Sequence, residues 1–260
     1  MFNIFKRKKE KILFISGGGF RGVYALGIMK RMEELNMKKD IKVIFGVSIG
    51  AVIGSARANG MSAQEIYDEM KNMHFTKFYA LNIFKSGFKA LISNGPIEKM
   101  IKNIVPNDIA ESKIPVYLGS CDINTAKFIF FEKGPFIPLI LASMAIPGLY
   151  PSVKYKKYAL VDGGTVNPFP VDKAKEYYPN AKIIGINLNS FIPQKNDPKN
   201  IFEALTRSFN ILMKSRAYEQ NHLVDTLFFR ELDVKLLEFN KKKLQTAFEQ
   251  GYDDAKVTWG

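Results

Sequence analysis

The segment "KILFISGGGFRGVYALGIMKRMEEL", residues 11–35, decides the reading of the fold. Lys11–Ser16 is a short, mostly apolar run that suits a buried strand. Three consecutive glycines, Gly17, Gly18 and Gly19, end it. From Arg21 to Leu35, Val23, Leu26, Met29, Met32 and Leu35 recur at near-helical spacing, with Asn36 as a stop. Strand, bare loop and helix in this order open an α/β unit. Backbone without side chains can approach another group closely. The loop could therefore cradle a phosphate or hold a reacting oxygen.

The same alternation continues outward. Ile41–Phe45 is a second apolar strand, Gly46–Gly50 a turn, and Ala51–Asn59 a helix of small residues. Ser62 and Glu65 form a capping box that starts a helix running to about Met73. Further strands are expected at 115–120, 128–131, 158–161 and 183–187, and a polar loop at "SFIPQKNDPKN" from Ser190. Helices follow from Ile201 to about His222 and from Lys241 to Lys256. The pattern predicts a three-layer α/β/α domain with a mostly parallel central sheet covered on both faces. One domain over 11–260 is expected, behind a basic tail at 1–10.

Composition narrows the function. A single cysteine, Cys121, precludes an internal disulfide and suits a reducing, cytoplasmic setting. The apolar stretch Ile12–Ile15 is too short for a signal-peptide core. The uncharged run Val43–Ala56 is shorter than the roughly 20 residues of a membrane span, and Pro135–Val153 is interrupted by four prolines. The net charge of +13, with lysine clusters at 6–11, 154–157 and 241–243, favours anionic partners. No zinc-finger, arginine-rich or RNA-binding aromatic signature accompanies it, so peripheral contact with an anionic membrane is the better expectation than nucleic acid.

Three short motifs carry the chemistry. Gly46-Val47-Ser48-Ile49-Gly50 is a G-x-S-x-G between a strand and a helix, the context in which a serine becomes an exposed nucleophile. Gly17–Gly22 also satisfies G-x-G-x-x-G, the dinucleotide-binding pattern, which asks for an acid at the far end of the second strand. Asp40 has roughly the right spacing but precedes that strand. An oxyanion hole is then the more economical use of the glycine amides, close to a serine. The serine needs a base. His74 and His222 are the two histidines, and neither is placed like a residue at a strand end. In "KYALVDGGTVNPFPV", Asp162 directly follows an apolar strand, and Gly163 and Gly164 follow it. A carboxylate there could take the serine proton, although Asp-Gly also suits a plain turn.

"GGGFRG", "GVSIG" and "DGG", in this order, resemble the patatin-like phospholipase family. "ASMAIPGLYPSVKYKKYALVDGGTVNPFPV", "CDINTA" at Cys121 and the ending "LEFNKKKLQTAFEQGYDDAK" extend the resemblance over about residues 11–256. It implies a lipid acyl hydrolase with a serine–aspartate dyad: Ser48 as nucleophile, Asp162 as base, and the amides of Gly17, Gly18 and Gly19 as oxyanion hole. It implies an acyl-ester substrate and neither metal nor organic cofactor. Arg21 would order the loop or meet an anionic head group, with Gly22, Gly46, Gly50, Gly163 and Gly164 supporting the three turns. Ser16 departs from the family, which often has aspartate there. The stretch Phe75–Ser93, rich in Phe with Lys85 and Lys89, reads as a cover over an acyl pocket, a membrane-contact segment or a core-facing helix.

Overall fold

The computed structural model describes residues 10–72, 95–238 and 240–260. His74 and the Phe75–Ser93 stretch lie outside them. The described chain runs β1 (Lys11–Ile15), α1 (Gly22–Glu34), β2 (Ile41–Val47), α2 (Ile49–Ala58), α3 (Ala63–Asn72) and α4 (Gly95–Ile101). Then come β3 (Val116–Asp122), β4 (Lys127–Phe131), α5 (Phe136–Ser143), β5 (Val153–Tyr155) and β6 (Tyr158–Asp162). The last part holds α6 (Val171–Tyr177), β7 (Lys182–Asn187), α7 (Ile201–Tyr218), β8 (Thr226–Phe229) and α8 (Lys241–Trp259).

The eight strands of these residues form one mixed sheet. Its body is parallel, with β1 between β2 and β7, β3 beyond β2, and β8 beyond β7. Beyond β3 the pairing turns antiparallel, with β4, β6 and the β5–β6 hairpin. Alternation along β1 shows how both faces are filled. Leu13 and Ile15 pack with Val23, Leu26, Ile53, Ile66, Leu139 and Phe248 from α1, α2, α3, α5 and α8. Ile12 and Phe14 pack on the other face with Phe45, Tyr117, Val171, Ala174 and Ala217, the last three from α6 and α7. The fold is therefore the expected three-layer α/β/α sandwich. Phe14, Phe45 and Tyr117 stack in succession across β1, β2 and β3 at centroid separations of 5.7 and 4.4 Å.

α1 and α8 meet at backbone distance. A Cβ at Gly27 would stand 1.9 Å from the Phe248 carbonyl oxygen, and one at Gly251 would stand 2.0 Å from that of Tyr24. The Tyr24 hydroxyl donates to Asp254 at 2.7 Å, and Arg230 grips the same carboxylate with Nε and Nη2.

Several local signals hold. Asn36 ends α1 in the left-handed region at φ 55°. The Ser62 amide donates to the Glu65 carboxylate and the Glu65 amide to Ser62 Oγ, completing the capping box. Other expectations are corrected. The helix expected to reach His222 ends at Tyr218, and His222 lies in a separate three-residue turn. β5, β8, α4, α5 and α6 are additional to the elements expected from the sequence.

Candidate active site

The sheet register brings the site together. Val47, the last residue of β2, pairs with Gly119 of β3, and Asp162, the last of β6, pairs with Ser120. β4 lies along Leu118–Asp122 on the opposite edge of β3. β2 and β6 therefore share one edge of β3 and run toward each other, end to end. The residue after β2 is Ser48. The Asp162 amide donates away from β3 to the Ala145 carbonyl at 2.9 Å. Asp162 and Ser120 thus form a non-hydrogen-bonded antiparallel pair, the kind with the closer side chains.

Ser48 occupies a sharp corner, with φ 56° and ψ −125°, between β2 and α2. A non-glycine residue there stores about 1–3 kcal/mol of strain that the surroundings must offset. The Ser48 amide donates to Ser143 Oγ at 2.9 Å, and that hydroxyl donates to the Gly119 carbonyl at 2.6 Å. The corner is also too tight for flanking side chains: a Cβ at Gly46 would lie 2.4 Å from the Gly50 oxygen, and one at Gly50 would lie 2.1 Å from that of Ile15. Ser48 is buried and sits at the positive end of α2.

Asp162 is fully enclosed. Its Oδ1 accepts from the Gly164 amide at 2.7 Å, while Oδ2 is buried without a hydrogen bond of ordinary geometry. Burial pushes its pKa up to about 7, against smaller downward pulls from the nearby Ser48 hydroxyl and the Gly164 amide. Gly163 lets the chain turn close over β3, where its Cβ would be 2.8 Å from the Gly119 oxygen.

The glycine loop lies at the end of β1, beside this pair. A Cβ on Gly17 would stand 3.3 Å from Ser48 Cβ. Gly17 donates its own amide to the Pro168 carbonyl at 3.0 Å. The amides of Gly18 and Gly19 have no partner among the described residues. Gly19 has φ +59°, and a Cβ there would meet the Leu236 carbonyl oxygen at 2.2 Å, so glycine is required. Gly22 packs α1 against Ile49 and Ile53 of α2. Ser16 Oγ accepts from the Leu188 amide at 2.8 Å and from Asn189 Nδ2 at 3.1 Å, and donates to the Gly17 carbonyl. A hydroxyl thus ties the loop to the segment after β7.

Arg21 is buried beneath the loop. Its Nε donates to the Val234 carbonyl at 2.9 Å and its Nη1 to Asn210 Oδ1 at 3.3 Å. Desolvation lowers its pKa to about 10. α7 closes the site from above: Met213 Cε would be 3.3 Å from a Cβ on Gly17 and 3.1 Å from one on Gly164.

His222 is exposed and has no hydrogen bond to Ser48 or Asp162 among the described residues. Asp40 is bound to Lys11 at 3.1 Å, at the start of β1 and β2, whereas the glycine loop follows the end of β1. That leaves the dinucleotide pattern without its acid at the far end of β2. Among the described residues, no group of three or more His, Cys, Asp or Glu could hold a metal ion. Sequence reasoning missed Ser143, Asn210 and Met213, which no motif marks; the signal for Met213 and Asn210 is their helical spacing on the inner face of α7.

The profile of the patatin-like phospholipase family matches residues 13–175, more than half of the chain. The chain belongs to the patatin-like phospholipase family. An uncharacterized NTE family protein of Mycobacterium bovis is 29% identical over 178 residues, covering 67% of this chain and 46% of that protein. Lysophospholipase NTE1 of Candida albicans is 28% identical over 174 residues, covering 63% of this chain and 12% of that enzyme. The chain thus spans less than half the length of these relatives. Among solved structures, VipD from Legionella pneumophila superposes with a TM-score of 0.53 at 12% identity, covering 96% of this chain and 66% of that one. At that identity the likeness concerns the fold. The patatin-like match takes in β1 to α6 and therefore the glycine loop, Ser48 and Asp162; α7 lies beyond it.

Proposed function

We propose that this patatin-like protein is a serine acyl hydrolase, a phospholipase A-like lipid esterase acting through a Ser48–Asp162 dyad. One observation carries the reading: the end-to-end meeting of β2 and β6, which sets the buried Asp162 carboxylate beside a strained serine whose hydroxyl pulls on its pKa. With a pKa near 7, Asp162 can be ionised at neutral pH and still basic enough to take a proton.

In the first half-reaction, ionised Asp162 accepts the Ser48 proton as Oγ attacks the ester carbonyl carbon. The carbonyl oxygen becomes a tetrahedral oxyanion. The Gly18 and Gly19 amides are the donors for it, because Gly17 spends its amide on Pro168. The C–O bond to the alcohol breaks, and the alcohol leaves with the proton from Asp162. In the second half-reaction, water adds to the acyl-enzyme as Asp162 takes its proton. Collapse releases the carboxylic acid and returns the proton to Ser48. Aimed donors of this kind each contribute about 3–4 kcal/mol to lowering the barrier.

The test is labelling with a fluorophosphonate probe, followed by peptide mapping, alongside fatty-acid release from micellar phospholipid and lysophospholipid. Modification at Ser48, lost in Asp162→Asn, is expected. Folded protein that neither labels nor releases fatty acid overturns the proposal.

A further inference from the structure

α7 has two faces with opposite characters. Its inner face meets the site: Met213 covers Gly17 and Gly164, and Asn210 receives Arg21. On the outer face, Ile201, Leu205 and Leu212 are 79, 64 and 66 % exposed, and Ile211 and Tyr218 are exposed beside them. Spacings of four and seven put the first three on one line along the helix, and Ile211 and Tyr218, seven apart, on a second line roughly 100° around it, with exposed Ser208 and Ser215 between. Exposed large apolar side chains are normal when scattered. Here five of the nine in the described residues fall on this one helix.

The charges around this ridge have one sign in excess. Along α7, Arg207 pairs with Glu203 at 2.6 Å, Arg216 pairs with the C-cap Glu219 at 3.6 Å, and Lys214 lies over the Phe191 ring at 5.9 Å. Lys195 and Lys199, with Asp197 between them, stand exposed on the loop leading into it. The chain as a whole carries +13. A helix that packs one side on the protein and shows an aliphatic and aromatic ridge, beside a basic loop, can lay that ridge in a lipid–water interface.

We propose that the outer face of α7 docks on an anionic bilayer, with Ile201, Leu205 and Leu212 entering the acyl boundary and Lys195 and Lys199 meeting lipid phosphates. A helix is about 10 Å across, so docking would set Ser48 and Asp162 one helix diameter from the lipid. The acyl-hydrolase reading supplies only the reason for docking there; vesicle binding itself needs no catalysis.

The test is flotation of the full chain carrying Ser48→Ala with vesicles of phosphatidylcholine alone or with one-third phosphatidylglycerol. Binding to the anionic vesicles is expected, with an at least tenfold loss in the double variant Leu205→Asp/Leu212→Asp. Lys195→Glu/Lys199→Glu should lower binding to anionic vesicles and leave binding to neutral ones unchanged. In the wild-type background, the double variant should hydrolyse a soluble short-chain ester at the unaltered rate, which also reports that it is folded. Equal vesicle binding by the parent and the double variant overturns the proposal, as does no binding by the parent. So does a dimer in sedimentation velocity that the double substitution dissociates, since the ridge would then join two copies. Vesicle binding by a chain without ester hydrolysis would instead strike at the catalytic reading alone.

Discussion

Asp162 stands opposite Ser120 on β3, one residue beyond Gly119, where β2 ends at Val47. The meeting of acid and serine is thus a consequence of register. Shifting β6 by one residue would turn Asp162 to the other face of the sheet, where Phe45 and Tyr117 pack. An antiparallel strand set end to end with a parallel one lets two distant segments deliver their last residues to one point.

The pH dependence of activity follows from the enclosure of Asp162. In the proposed dyad only its ionised form accepts the Ser48 proton, and burial raises its pKa to about 7. Activity on a soluble ester should therefore rise with pH through an apparent pKa near 7, since kcat/KM reports the free enzyme's groups. The same limb should persist in His222→Ala, because His222 is exposed and makes no bond to the dyad. Loss of the limb in that variant would return the role of base to histidine.

The same carboxyl links stability to pH. Its pKa is about 7 in the folded chain against an ordinary value of 3.8. The folded state holds the proton more tightly, so this contribution is complete below the lower value and is lost as pH rises through 7. The full span is on the order of 4 kcal/mol. Asp162→Asn has no such titration. Urea unfolding at pH 5 and pH 8 should show the variant gaining on wild type by a few kcal/mol at the higher pH. An unchanged difference between the two would mean that Asp162 titrates normally when folded.

Substitution in the glycine loop should displace an oxyanion donor of the proposed reaction. A Cβ on Gly18 would lie 2.5 Å from Leu188 Cβ and 3.2 Å from the Leu188 carbonyl oxygen, atoms held by the backbone of a buried residue, so the loop itself must shift. Displacing one oxyanion donor costs about 10²–10³ in kcat. Gly18→Ala should fall in this range and also melt at a lower temperature, while still unfolding cooperatively. A variant of normal kcat would place the oxyanion elsewhere.

Arg21 anchors that loop through a buried fork to the Val234 carbonyl and Asn210. Lysine keeps the charge but cannot span both acceptors. Arg21→Lys should lose about 2 kcal/mol of unfolding free energy, the usual worth of a hydrogen bond to a charged group. Its kcat should also fall, as the loop loosens. A variant with full stability in urea unfolding would show that the fork is dispensable.

Much of this site is legible in the sequence because it rests on turns. Each glycine motif follows an apolar strand and encodes a close approach that holds in the folded chain, as at Gly50 against the Ile15 carbonyl. α5 escapes notice because its segment is uncharged and holds Pro135 and Pro138. Yet Pro135 is the N-cap and Pro138 lies in the first turn, where no intrahelical amide bond is lost. β5 and β8, three and four residues long, offer too little alternation to register. The exposed ridge of α7 runs against the rule that apolar side chains face inward, so periodicity alone could not tell which side was covered.

Ser143 is the residue that this blind spot hides. It closes α5, accepts from the Ser48 amide and donates to the Gly119 carbonyl. One hydroxyl thereby fastens the strained corner at Ser48 to β3. Ser143→Ala would leave the Ser48 amide buried without a partner, at a cost of about 1–3 kcal/mol. The released corner would relax from φ 56°, carrying Oγ away from Asp162. Slower fluorophosphonate labelling of Ser48 and a lower kcat should accompany the stability loss, with KM for a soluble ester nearly unchanged. Ser143→Thr keeps the hydroxyl and should recover part of the labelling rate. If alanine destabilises the chain but labels Ser48 at the normal rate, Ser143 supports the fold and does not position the nucleophile.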